Sequence, residues 1–183
     1  MLLFIFHNYG ILPFEVIFLE YSIQPIDERF RTQVDEVIKD EWHGPLSVSK
    51  GNIIDTSKSH GFVAVDGDEM KGCITYHIEG NDCEILTLNS LCEGKGIASA
   101  LIRAVIDTAK QANCHRCWLI TSNDNIHAIR FYQRFGFSLI ALHLNALDIT
   151  RRVKPSVPLV GMNDIPLLHE LEFEIKLFPE ELI

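Results

Sequence analysis

The stretch from Leu86 to Ala112, LTLNSLCEGKGIASALIRAVIDTAKQA, most constrains what this chain can fold into. It begins in a strand, Glu84 to Leu88, where polar residues lead into β-branched and aliphatic ones. The chain turns through Glu93-Gly94-Lys95-Gly96 and continues as a helix. Ile97, Leu101, Ala104, Val105, Thr108, Ala109 and Ala112 recur at the spacing of an amphipathic stripe. Arg103, Asp107, Lys110 and Gln111 take the other face, and Arg103 and Asp107 are spaced to pair one turn apart.

A strand that enters a glycine turn and opens a helix makes an anion site. The first N–H groups of the helix have no partners within it, and the helix dipole places partial positive charge there. Gly94 and Gly96 can adopt positive φ and let a phosphate approach the backbone. The turn reads as a pyrophosphate cradle, although a plain tight loop before a helix would use the same glycines.

A chain of 183 residues suits one domain with a sizeable core, spanning 1–183 with its core at about 21–178. The net charge of −9 argues against nucleic acid or an anionic membrane as the main partner, since both need clustered Lys and Arg. It suits a cationic or neutral substrate. Five cysteines and no secretory signal point to reduced thiols in the cytoplasm. Cys114-His115-Arg116-Cys117 lacks the second pair that a zinc site needs, so no metal is expected. Residues 1–20 are apolar but interrupted by His7, Asn8, Gly10, Pro13, Glu15 and Glu20, too often for a membrane span. They read as an N-terminal arm whose role is open.

Tyr21 to Ile26 reads as a short strand, and Asp27 as the cap of a helix to about Trp42, with Phe30, Val34, Val37 and Ile38 inward. Leu46 to His60 reads as loop or short helix. Three strands follow, Gly61–Val65, Met70–Ile78 and Cys83–Leu88, joined by Asp-Gly and Gly-Asn turns into an antiparallel meander. After the central helix come a strand at Arg116–Ser122, a helix at Ile126–Phe135 stopped by Gly136, and a strand at Phe137–Leu144. A proline-bearing loop opens at Arg151, and His169 to Leu177 alternates as a last strand. The order β-α-βββ-α-β-α-β-β predicts an α/β mixed sheet, with helices on both faces and a parallel, right-handed β-α-β crossover after the meander.

Two segments now resemble the GNAT superfamily of N-acetyltransferases. Glu93-Gly94-Lys95-Gly96-Ile97-Ala98 matches the family's Arg/Gln-x-x-Gly-x-Gly/Ala. Asn125-Ile-His-Ala128-Ile-Arg-Phe131-Tyr132, with Gly136-Phe137 beyond, matches its Asn-x-x-Ala-x-x-Phe-Tyr…Gly-Phe segment. The resemblance implies a GNAT-like fold and acetyl-CoA held where two parallel strands splay apart. The pyrophosphate would rest on the backbone from Glu93 to Ala98, and the pantetheine arm along Leu86, Leu88, Asn125 and Ala128. It also puts Tyr132 near the sulfur and makes the Leu88 backbone the donor to the thioester carbonyl. The activity implied is direct transfer of acetyl to a primary amine within a ternary complex; the alternative is a non-catalytic acyl-CoA-binding sensor or assembly module.

Asn125, Ala128, Ile129 and Tyr132 fall at i, i+3, i+4 and i+7, so one helix face can present both polar groups. A phenol is a fitting acid for a thiolate leaving group. Glu84 is the candidate base, with Asp82 in reserve, because strict alternation would put Glu84, Leu86 and Leu88 on one side of their strand. Glu172 and Glu174 would either draw in a cationic acceptor or line a solvated strand face. Glu93 departs from the family's Arg or Gln, and at ~6 Å each unit-charge pair with a phosphate costs about 3 kcal/mol before screening. It must point away or be offset by Lys95. Arg151, Arg152 and Lys154 read as a solvated loop or as contacts to an anion. A P-loop is excluded by the missing Gly-Lys-Ser/Thr, and a Rossmann enzyme is disfavoured by the meander. The acceptor, a small molecule or a peptide amine, stays open, as does a homodimer.

Overall fold

The computed structural model describes residues 21–178; the arm at 1–20 lies outside them. The elements are β1 (Ser22–Pro25), α1 (Glu28–Glu41), β2 (Leu46–Ser49), β3 (Asn52–Asp55), β4 (His60–Asp66), β5 (Glu69–Glu79), β6 (Asp82–Ser90), α2 (Ile97–Gln111), β7 (Arg116–Ser122), α3 (Ile126–Phe135), β8 (Ser138–His143), α4 (Ala146–Val153) and β9 (Glu170–Lys176). Seven strands form one sheet in the order β1-β4-β5-β6-β7-β9-β8, and β2 and β3 pair apart from it. The β4-β5-β6 meander is antiparallel, and β6 runs parallel to β7 through the α2 crossover, as the turn chemistry and periodicity predict.

Two apolar layers cover the sheet. On one face Phe30, Val34 and Ile38 of α1 pack on Val63, Val65, Met70 and Cys73. Asp27 caps that helix by accepting the N–H groups of Arg29 and Phe30. On the other face Ile97, Leu101, Ile102, Val105 and Ile106 of α2 bury against Ala64, Ile74, Ile85 and Leu119. The buried stripe of α2 therefore includes Ile102 and Ile106, which the narrower sequence reading omitted. Ala112 lies exposed beyond it. α3 joins the same layer through Tyr132, with Phe137 and Phe173 beside it.

Three expectations need correction. Leu46–His60 is neither loop nor short helix in the main but a hairpin, followed by a single 3₁₀ turn at Thr56–Lys58. Lys50 and Gly51 both take positive φ (50° and 83°), the backbone of a two-residue hairpin turn, and Lys is a weak sequence signal for it. The proline-bearing loop opens after Val153 and not at Arg151, because α4 runs through Arg151–Val153 and buries Leu147 and Thr150. Glu172 does not line a solvated face, being 5% exposed, and Glu174 is half-buried; Glu170 beside them is 3% exposed.

Gly72 fixes how close α2 approaches the sheet. A Cβ there would stand 2.7 Å from the Asn89 carbonyl oxygen and 2.8 Å from Ile97 Cγ2. Gly72→Ala is expected to lower stability by about 1–3 kcal/mol, the usual cost of overpacking. A fall in urea midpoint at unchanged m value checks it.

Candidate active site

The site begins where two strands part. β6 pairs with β7 only from Asp82↔Arg116 to Ile85↔Leu119, although β6 continues to Ser90 and β7 to Ser122. The separation starts at a bulge. Tyr76 faces Ile85 and Thr75 faces Thr87, so Leu86 has no partner across β5. Because side chains alternate, one extra residue reverses the sidedness beyond it. Cys83 and Ile85 look toward α2 and Glu84 away from it; past the bulge Leu88 looks toward α2, while Thr87 and Asn89 look away. Glu84 and Leu88 are therefore on opposite faces, a correction to strict alternation. Thr87 bonds the Thr75 hydroxyl at 2.7 Å, and Asn89 Oδ1 accepts from Trp42 Nε1 at 2.8 Å.

Beyond Ser90 the chain reaches the tip of α2. Gly94 and Gly96 adopt φ of 71° and 75°. Gly96 occupies the cap position with no side-chain hydrogen bond to the first helical N–H groups. The end of a fifteen-residue helix thus presents uncapped amides beside Glu93, Gly94 and Lys95, all exposed. Glu93 makes no burial demand and is free to turn to solvent. Ile97 is buried and Ala98 partly so, anchoring the tip.

On the α2 face of the sheet, Tyr132 is 8% exposed, set among the rings of Phe131, Phe137 and Phe173 at 5.4, 5.8 and 6.0 Å. Burial pushes its phenol well above the ordinary value, so it stays protonated. Asn125 caps α3, its Oδ1 accepting the Ala128 N–H at 3.0 Å. That use takes only the carbonyl of the amide.

The opposite face carries a buried set of carboxylates that the sequence reading did not assemble. Glu84, Glu170 and Glu172 come from β6 and β9, and Trp118 lies between them, opposite Glu84 on one side and Glu174 on the other. Glu172 Oε1 meets Lys50 Nζ at 3.3 Å and Arg116 NH1 at 3.2 Å, and its Oε2 lies 2.9 Å from His143 Nε2. Arg116 also donates to Asp82 at 2.8 Å and Glu174 at 3.1 Å. Burial raises the pKa of Glu84 and of Glu170; Ser49 and Lys50 partly offset it for Glu84. For Glu172, burial acts upward, but His143, Lys50 and Arg116 together bring it below the ordinary carboxylate value.

Of the cations expected on a solvated loop, Arg152 is exposed, while Arg151 and Lys154 have structural tasks. Arg151 donates to the Pro158 and Leu167 carbonyls and pairs with Asp148. Lys154 donates to the Trp42 carbonyl at 2.5 Å, at the C-terminal end of α1, where a cation complements the dipole. An acidic groove between α1 and the β4–β5 turn, lined by Glu36, Asp40, Asp66 and Asp68, shares no residue with the splay. Among the described residues no group of His, Cys, Asp and Glu is arranged to hold a metal ion.

The model of the acetyltransferase (GNAT) family matches residues 21–137, from β1 through α3. The chain belongs to the GNAT acetyltransferase family. The Bacillus subtilis (strain 168) protein named "Uncharacterized protein YdhI" is 40% identical over 152 residues, covering 82% of this chain and 95% of that one. A Bacillus subtilis acetyltransferase solved in complex with CoA superposes with a TM-score of 0.64 at 18% identity, over 87% of this chain and 100% of that chain. A GNAT acetyltransferase from Elizabethkingia anophelis with acetyl-CoA bound gives 0.62 at 16% identity, over 85% and 97%. At these identities the solved structures establish the GNAT fold.

In this GNAT acetyltransferase the two sequence motifs follow the ends of β6 and β7 along the chain, while the carboxylate set comes from strands far apart in it. The only early signal for it was the run of glutamates alternating along Glu170–Glu174. Glu172→Gln should cost on the order of 3 kcal/mol at pH 7, the low end for breaking a buried pair, because Lys50 and Arg116 remain 27% exposed. A carboxylate with a depressed pKa contributes stability above its unfolded value of about 4.5, and that contribution is lost as pH falls through the folded value. Urea denaturation should show the gap between wild type and variant closing below that pH.

Proposed function

We propose that the protein is an acetyl-CoA-dependent N-acetyltransferase, moving acetyl from the CoA thioester to a primary amine by direct attack while both are bound. One observation carries this reading: the bulge at Leu86, the end of β6–β7 pairing and the uncapped α2 tip follow one another along a single segment. A thioester laid along the unpaired β6 edge would have its pyrophosphate at the helix tip. The residues present fit CoA, since no Cβ crowds Gly94 and the nearest atom to one built at Gly96 is Tyr21 Oη at 3.7 Å.

The roles divide across the sheet. Backbone N–H groups from Glu93 to Ala98 would hold the pyrophosphate, and Leu86, Leu88, Asn125 and Ala128 would border the pantetheine arm. A main-chain donor at Leu88 would polarise the thioester carbonyl, an effect typically worth 10²–10³ in rate. Tyr132, protonated and on the α2 face, would give its proton to the departing thiolate. Glu84, on the opposite face, would take the proton from the incoming amine, directly or through water. Its raised pKa brings it closer to the range of a useful base. Acid and base would thus stand on the thiol side and the amine side of one gap. Asp82, the reserve base, is already committed to Arg116.

All five cysteines are free thiols, which suits the cytoplasmic setting we propose. No helix among the described residues is long and apolar enough to cross a membrane.

Thiol release from acetyl-CoA, measured with a panel of primary amines, tests the reading. Acceptor-dependent, saturable release supports it, and saturable CoA binding without release would favour a non-catalytic binding module. Tyr132→Phe should lower kcat about 10²–10⁴-fold, the range for a general acid, with the dissociation constant of acetyl-CoA little changed. Unchanged kcat would remove Tyr132 from the acid role.

A further inference from the structure

The buried carboxylates already hold a primary ammonium, supplied by the chain itself. Lys50 sits at the tip of the β2–β3 hairpin with φ of 50°, a conformation disfavoured for a side chain of its size. The turn aims it inward. Its main-chain N–H donates to Glu170 Oε2 at 3.1 Å, its Nζ reaches Glu172 Oε1 at 3.3 Å, and the same Nζ stands 3.7 Å from the centroid of Trp118. An ammonium over an indole face beside a buried carboxylate is held by both the ring quadrupole and the charge.

Ser49, only 3% exposed, stands beside Glu84 and with Lys50 partly offsets the upward push of burial on that carboxylate. Position matters as much as composition. Glu172 lies opposite Ile120, the first residue of β7 beyond its last pair with β6. The ammonium pocket is therefore about one strand spacing, ~5 Å, from the edge of the splay. Trp118 and Glu84 are paired across the strands just before the gap opens.

We infer that Lys50 is a built-in stand-in for the acceptor, and that the pocket of Trp118, Glu170 and Glu172 takes one ammonium of a linear aliphatic diamine or polyamine whose other nitrogen reacts at the splay. This rests on the acyl-transfer reading above for what happens at the second nitrogen, but the ammonium pocket stands on its own geometry. Arg116 and His143 remain on Glu172 when Lys50 leaves, so the carboxylate is never stripped of partners. The arriving ammonium replaces the departing one, and the charge of the pocket is conserved. The hairpin would act as a strap that an amine must displace, and Lys50 would reduce apparent affinity by the fraction of time it fills the pocket.

Calorimetric titration of 1,4-diaminobutane, with no acetyl donor present, tests this. Lys50→Met should bind the diamine about tenfold more tightly than wild type, the gain expected if Lys50 fills the pocket some nine-tenths of the time. Lys50→Met/Glu172→Gln should lose that gain. Equal or weaker binding by Lys50→Met, or a gain that survives the second substitution, would overturn the inference. Circular dichroism checks folding, and Lys50→Gln, which keeps a stem of similar length, serves if the Met variant does not fold. Because no thioester is involved, a negative result leaves the acyl-transfer reading standing. Conversely, absence of turnover with acetyl-CoA would not alter this binding result.

Discussion

One unpaired residue in the middle of a sheet governs the rest of this structure. Leu86 has no partner across β5, so β6 changes phase there. At the same place β6 ceases to pair with β7. A strand edge without a partner is a cost in any sheet, since its N–H and C=O groups need hydrogen bonds from elsewhere. Here the unpaired edge leads straight into an uncapped helix, a second set of unsatisfied donors. The two together bring the β6 edge that β7 leaves unpaired and the uncapped α2 tip into one short segment of chain. In the reading proposed above, that segment is where a long, polar, anionic ligand would lie.

The phase change also sorts the chemistry. Before the bulge Glu84 looks to the face shared with α1, and after it Leu88 looks toward α2. The α2 face is apolar and aromatic, closed by Tyr132, Phe137 and Phe173. The other face is charged, with Glu84, Glu170 and Glu172 balanced by Lys50, Arg116 and His143 around Trp118. Burying carboxylates in this way is seldom favourable for stability alone. Their cost is consistent with a place whose task is to receive a cation.

Much of the fold was legible because local signals agreed. Asp27 capped its helix, Gly136 ended another in the left-handed region, and the Asp-Gly and Gly-Asn turns closed the meander. The Gly94–Gly96 turn was legible for the same reason. What escaped was set by contacts between distant segments. The period-two pattern of Glu170–Lys176 correctly named a strand, but an antiparallel strand often keeps one face in water; here the β2–β3 hairpin lies over that face through Lys50 and buries Glu170 and Glu172, a contact between segments about 120 residues apart. The Lys50-Gly51 turn was missed because Lys rarely takes positive φ, and here Glu170 and Glu172 hold it there. The bulge at Leu86 leaves no mark in composition, so alternation put Glu84 and Leu88 on one side when they face opposite ways.

The central claim is that the amides from Leu86 through the α2 tip form one ligand-binding line. Amide resonances followed while CoA is titrated into ¹⁵N-labelled protein test it most directly. The account predicts that Leu86, Leu88 and the amides from Gly94 to Ala98 shift together with a single dissociation constant, and that their hydrogen exchange slows. Saturation that moves other residues and leaves these amides unchanged would contradict it.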